Sequence, residues 1–126
     1  MSNHSFVHVE FPATNSAQSA EFYSGLFGWE MHHMTEFDYY TFASGEGQGG
    51  GFNKVGSTEG GFEVAPGQVL VYVNTDDIDG DLAKAEQLGG SVVSPKQEIP
   101  GIGWYAVFRD PAGNQVGLYT GLQQMS

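Results

Sequence analysis

Cysteine is absent from the 126-residue chain. That excludes a disulfide framework, a thiolate metal site and a thiol nucleophile. Basic residues are scarce: four Lys and Arg stand against fifteen Asp and Glu, for a formal net charge of −11. Such a field repels nucleic acid and anionic membranes and favours cationic partners. No apolar run approaches the ~20 residues of a membrane span. The opening MSNHSFVHVEF lacks the basic region and apolar stretch of a signal peptide. The expectation is a cytoplasmic protein that binds neither nucleic acid nor membrane. What the chain has is apolar bulk, with 40% hydrophobic and 13% aromatic residues. That suffices for one continuous core in a chain of single-domain length.

Two segments share a pattern. HVEFPATNSAQSAEFYSGLFGW begins at His8 and QVLVYVNTDDIDGDLAKAEQLGG at Gln68. Each opens with an alternating strand, passes a polar cluster, runs through a helix and stops at glycine. Fourteen residues separate His8 from Phe22, and fourteen separate Gln68 from Leu82, so the copies register without a gap. Asn15 and Ser16 offer helix caps in the first, Thr75, Asp76 and Asp77 in the second. Gly28 and Gly89–Gly90 supply left-handed stops. Strand material follows each helix: EMHHMTEF, YYTFAS and GGGFNK after the first, SVVSPKQEI, WYAVFRD and QVGLYTG after the second. The order is β-α-β-β-β twice, an α+β domain of two modules, about 4–54 and 68–122. The glycine-rich 55–67 is read as a linker or mobile loop.

Alternation assigns the faces. Val7, Val9 and Phe11 should pack under a helix, leaving His8 and Glu10 opposite. Val69, Val71 and Val73 leave Gln68, Leu70 and Tyr72; Val116 and Leu118 leave Gly117 and Tyr119. Two sheets, each with a helix on one side, would enclose a cleft between their other sides. Its expected lining is His8, Glu10, Gln68, Tyr72, Gly117 and Tyr119, with Trp104 at the rim after the GIG turn.

AEFYSGLFGW, followed far downstream by FRDPAGNQVGLY, resembles the vicinal oxygen chelate superfamily. That group includes glyoxalase I, extradiol dioxygenases, methylmalonyl-CoA epimerase, fosfomycin-resistance thiol transferases and bleomycin-binding proteins. The resemblance covers nearly the whole chain. It implies paired βαβββ modules, a U-shaped cleft and a homodimer. In metal-dependent members the cleft holds one divalent ion between His and carboxylate ligands of equivalent strands. Carried onto this chain, the ligand positions fall at His8, Gly51, Gln68 and Gly117. Only His8 is a competent ligand, because glutamine is a poor donor to a transition metal and glycine has no side chain. The expectation is the family scaffold with no metal and no other cofactor.

The remaining chemistry is sparse. His32 and His33 are adjacent and, on a strand, point to opposite faces. His8 near Glu10 reads either as an acid–base pair or as a buried histidine held by a hydrogen bond. Asp76, Asp77, Asp79 and Asp81 lack the EF-hand spacing, and capping explains the first two. The run GEGQGGG lacks the Lys-Ser/Thr and helix of a phosphate loop. The reading adopted is a metal-independent binding protein for a small aromatic or cationic molecule, with glycines leaving room for a flat ligand. Two alternatives stay open. One is a glyoxalase-like lyase, isomerase or dioxygenase, working metal-free through His8 and Glu10 or through misplaced metal ligands. The other is a regulatory subunit with a vestigial cleft.

Overall fold

A computed structural model describes residues 4–36, 38–45, 47–57 and 64–122. The first strand, β1 (Phe6–Ala13), leads into helix α1 (Ser16–Phe27). Asn15 caps that helix, its side chain accepting from Gln18 N–H at 3.1 Å. Gly28 ends it in the left-handed region at φ 74°, its N–H donating to the Ser24 carbonyl at 2.8 Å. Three strands follow: β2 (Glu30–Met34), β3 (Tyr39–Ala43) and β4 (Gly50–Lys54). The second half repeats the order with β5 (Leu70–Asn74), α2 (Ile78–Gln87), β6 (Ser91–Ile99), β7 (Gly103–Arg109) and β8 (Gln115–Gly121). Asp77 caps α2 through the Gly80 N–H, and Asp79 and Asp81 in its first turn complement the helix dipole. Replacing Asn15 with alanine should cost about 1 kcal/mol, because it orphans a first-turn N–H. Urea denaturation checks this.

All eight strands join one sheet in the order β2-β3-β4-β1-β5-β8-β7-β6. Within each half a parallel pair, β1 with β4 and β5 with β8, sits beside two antiparallel strands. The halves meet where β1 runs antiparallel to β5. The expected two sheets are therefore one: edge backbone groups of β1 and β5 satisfy each other instead of facing water. The fold is mixed α+β, as expected.

Each helix covers its own half of the sheet. Under α1 the core gathers Ala13, Ala20, Phe42 and Phe52, with Phe11, Tyr23 and Trp29 stacked against them. Tyr23 lies 5.4 Å from Phe11 and 5.6 Å from Trp29, ring centre to ring centre. Under α2 it gathers Ile78, Leu82, Ala106 and Leu118, with Trp104 and Phe108 against them. Trp104 is thus a helix-face residue carrying Lys96 over its ring at 5.5 Å, not a cleft-rim residue. Alternation along β7 explains the correction: Val107 and Tyr105 take the opposite face.

Val7 also departs from expectation. It packs with Leu70, Tyr72 and Val107 on the face away from the helices. The β1–β5 register slips between Phe6 and His8, and that bulge turns Val7 across the sheet. The segment 55–67 lies partly outside the described residues, which omit 58–63. On either side of that gap, Gly56 N–H donates to the Val64 carbonyl at 2.8 Å and Val64 N–H to that of Ser57 at 3.1 Å.

Candidate functional site

Opposite the helices the sheet encloses a cavity of about 880 Å³. Every strand contributes to its wall, from Met34 on one edge strand to Ile99 on the other. Edge strands of one sheet can share a cavity only if the sheet curls around it. The size is that of a small-molecule pocket.

The floor is built around Glu10. The Tyr39 hydroxyl donates to Glu10 Oε2 at 2.7 Å and the Tyr72 hydroxyl to Oε1 at 3.1 Å. Asn53 Nδ2 adds a third donor to Oε1 at 3.3 Å. His8 Nε2 lies 2.8 Å from the Tyr39 hydroxyl oxygen and 3.9 Å from Glu10 Oε2. Since Tyr39 gives its proton to Glu10, His8 meets it as an Nε2–H donor, which leaves a lone pair on Nδ1. The His8 ring also lies edge-on to Tyr72, with centroids 5.5 Å apart.

Burial dominates the electrostatics. It pushes the Glu10 carboxyl above its usual range, against the opposing pull of the Tyr39 and Tyr72 hydrogen bonds. It pushes the His8 imidazole down to about 4. Tyr39 and Tyr72 are raised by burial first and by the neighbouring Glu10 charge second, so both hydroxyls stay protonated.

These shifts fix a pH dependence of stability. Unfolding returns His8 to its ordinary value of 6.5, so between pH 6.5 and 4 the unfolded chain binds more protons than the folded one. Stability from His8 is present above pH 6.5 and is lost as pH falls through that window. Glu10 acts with the opposite sign, since its raised carboxyl keeps a proton longer in the folded state. His8→Gln should therefore lose roughly 1–2 kcal/mol less stability than the parent between pH 7 and 4.5, after discounting for the histidine's partial exposure. Urea denaturation at the two pH values measures it.

The sequence positions fare unevenly. His8, Glu10, Tyr72 and Tyr119 line the cavity. Gly51 pairs with Glu10, and Gly117 with Tyr72, so both share the cavity face. Neither leaves open space. A Cβ on Gly51 would stand 2.0 Å from the Tyr39 hydroxyl oxygen, and one on Gly117 would stand 2.4 Å from Tyr72 Cδ2. Tyrosine rings lie directly over both glycines, which corrects the expectation of empty space for a flat ligand there.

Gln68 is the second correction. It precedes β5 in a turn, with its N–H on the Ala65 carbonyl, and does not line the cavity. The caps align Asn15 with Asp77, which carries Glu10 onto Tyr72 and His8 onto Leu70. The gap-free repeat was two residues out of register. Leu70 is as incapable of ligating a metal as the glycines. Among the described residues no three His, Asp or Glu side chains come together as a metal site. The donor set does not fit the divalent ion that the family resemblance implies.

Tyr39 and Asn53 are site residues that the sequence reading missed. Alternation held the signal for both. Tyr39 is out of phase with the helix-covered Phe42, and Asn53 is in phase with Gly51. The other flagged residues stay peripheral. His32 and His33 are exposed, and His33 stacks on Tyr40 and meets Asp38 at 2.9 Å. Asp38 also takes Lys54 Nζ at 2.9 Å across the cavity mouth.

Comparison with known proteins adds the relatives. A sequence model of the glyoxalase-like domain matches residues 8–119. The chain is 32% identical over 117 residues to the anthracycline biosynthesis protein DnrV of Streptomyces peucetius. That match covers 77% of this chain and 40% of the relative, so the chain spans well under half of that protein. Among solved structures, a glyoxalase/bleomycin resistance protein/dioxygenase superfamily member from Vibrio splendidus 12B01 superposes with TM-score 0.62 at 13% identity. It covers 92% of this chain and 99% of that one. Methylmalonyl-CoA epimerase from Mycobacterium tuberculosis gives TM-score 0.68 at 11% identity, over 92% and 87%. At such identities the likeness concerns the fold.

Proposed function

The chain belongs to the glyoxalase-like domain family, and from that premise we propose that it is a metal-independent small-molecule-binding protein whose ligand has an aromatic body. One observation carries the reading. At Gly51 and Gly117, two of the positions where the resemblance implies metal ligands, the rings of Tyr39 and Tyr72 fill the space and turn their hydroxyls onto Glu10. The cavity that remains is lined by Ile99, Ile102, Tyr105 and Tyr119 on its second-half wall, a surface suited to an aromatic ring system. The name of the relative DnrV, an anthracycline biosynthesis protein, agrees with a ligand of that shape.

The test is a calorimetric titration of metal-stripped protein with nickel, zinc, manganese and ferrous ions. The expected outcome is no binding tighter than ~10 μM, roughly −7 kcal/mol. Stoichiometric tight binding that disappears in His8→Ala would overturn the reading and restore a metal-dependent lyase, isomerase or dioxygenase.

A second reading has one observation in its favour. His8, Tyr39 and Glu10 form an unbroken hydrogen-bonded path along which a proton can move. Metal-free acid–base catalysis would then exchange a ligand C–H with solvent deuterium and would cease in Glu10→Gln. The proposed assembly is a cytoplasmic homodimer. Phe22, Leu26 and Phe27 leave an exposed apolar stripe on α1 for a second copy to cover. Sedimentation velocity at micromolar protein checks that state.

A further inference from the structure

Most of the hydrogen-bond donors around Glu10 on the cavity floor are already engaged. The Tyr39 and Tyr72 protons and one Asn53 amide proton are spent on Glu10. The Tyr119 hydroxyl is turned to the Ile102 carbonyl at 3.4 Å. Acceptors remain. Asn53 Oδ1 is buried with no hydrogen-bond partner, and such an orphan is costly unless something fills it. His8 keeps a lone pair on Nδ1. A carboxylate has about four lone-pair sites, and three donors leave Glu10 with one to spare.

The charge is one-sided. The chain has four Lys and Arg in all. Lys96 sits over Trp104 on the helix face, and Lys84 and Arg109 line a separate groove beside α2. Lys54, at the cavity mouth, is held by Asp38. His8, 3.9 Å from Glu10, is kept neutral by its burial. The floor therefore holds a carboxyl group that no lysine or arginine of the protein neutralises.

We infer that the floor selects a ligand whose polar head is a hydrogen-bond donor, best of all a protonated amine, seated against Glu10 and Asn53 Oδ1. This rests on the small-molecule reading above and narrows it. It also inverts the polarity of a metal centre. A divalent ion collects oxygen lone pairs from its substrate, whereas this floor presents lone pairs and asks for protons. Aromatic walls suit the same head, since ring faces attract cations.

Three probes with one naphthyl body separate the outcomes: 2-naphthylmethylamine, 2-naphthylmethanol and 2-naphthoic acid, titrated by calorimetry at pH 7. The amine should bind at least tenfold tighter than the acid. Glu10→Gln should bring amine and acid within about threefold of each other. The net charge of −11 favours the amine everywhere on the surface, so the titration is repeated in 0.5 M NaCl. A contact at a buried carboxyl survives that screening and a surface effect does not. This repeat also keeps the inference testable should Glu10→Gln fold poorly. Equal or tighter binding of the acid overturns the inference and leaves the small-molecule reading standing. So does an amine preference that persists in folded Glu10→Gln or vanishes in salt. Failure of all three probes to bind overturns both.

Discussion

Gly51→Ala and Gly117→Ala should each cost about 2–3 kcal/mol of stability, at the upper end of what one added methyl does in a packed interior. Neither glycine is required by its backbone dihedrals, since both have ordinary negative-side strand conformations. The demand is space. The new Cβ at position 117 would meet Tyr72 at Cδ2, Cε2 and Cγ, at 2.4, 2.6 and 2.9 Å. Cγ lies close to the backbone and cannot swing aside. At position 51 the clash is with the tip of Tyr39, at its hydroxyl oxygen 2.0 Å away and Cζ 2.3 Å away. A ring tip would ordinarily yield, but this one is tied to Glu10 and His8. Thermal or urea denaturation reads the loss. Trimming the opposing ring should relieve it, so Gly117→Ala with Tyr72→Ala should be less destabilised than the sum of the singles by at least about 1 kcal/mol. Neutral Gly117→Ala would mean that Tyr72 does not cover that position, and the case against a metal there would fall with it.

The fold was legible because its signals are local. Strand alternation, the caps Asn15 and Asp77, and the stop at Gly28 need no partner to be read. Several of the motif residues that carry the family resemblance prove to be structural. Tyr23 and Trp29 stack under α1. Asp110 accepts from the Ala112 and Asn114 N–H groups, both at 2.9 Å, and so shapes the β7–β8 turn. The site was legible only in part, because it depends on register between strands. Glu10 and His8 could be placed by alternation alone. Their second-half counterparts could not, since an even-numbered slip keeps every side chain on its face and leaves no trace in the pattern. That slip produced Gln68 in place of Leu70. The tyrosine rings over Gly51 and Gly117 were hidden for a related reason. One comes from β3 and the other from a neighbouring strand, and nothing in the sequence near either glycine says what covers it. Glycine in a strand signals a close approach, but not whether a ligand or a tyrosine makes it.

Tyr39→Phe and Tyr72→Phe probe whether the floor is a carboxylate cradle or merely packed rings. Both keep the ring over its glycine and remove only the hydroxyl. Tyr39→Phe takes the donor from Glu10 Oε2 and the acceptor from His8 Nε2, so two buried polar atoms lose partners. Tyr72→Phe takes one donor from Oε1, which keeps Asn53. The expected costs are about 2–3 kcal/mol for Tyr39→Phe and about 1 kcal/mol for Tyr72→Phe at pH 8. Each lost donor stabilised the charged form, so each variant should raise the Glu10 carboxyl further. The folded state then pays that penalty only where Glu10 ionises, so the cost should shrink as pH falls through the folded carboxyl's raised range toward 4.5. Urea denaturation of parent and variants at pH 8 and pH 5 gives both differences. Costs indifferent to pH would show that the hydroxyls do not support a charge at Glu10. In that event the floor offers a neutral carboxylic acid, itself a donor, and the preference for an ammonium head loses its physical basis.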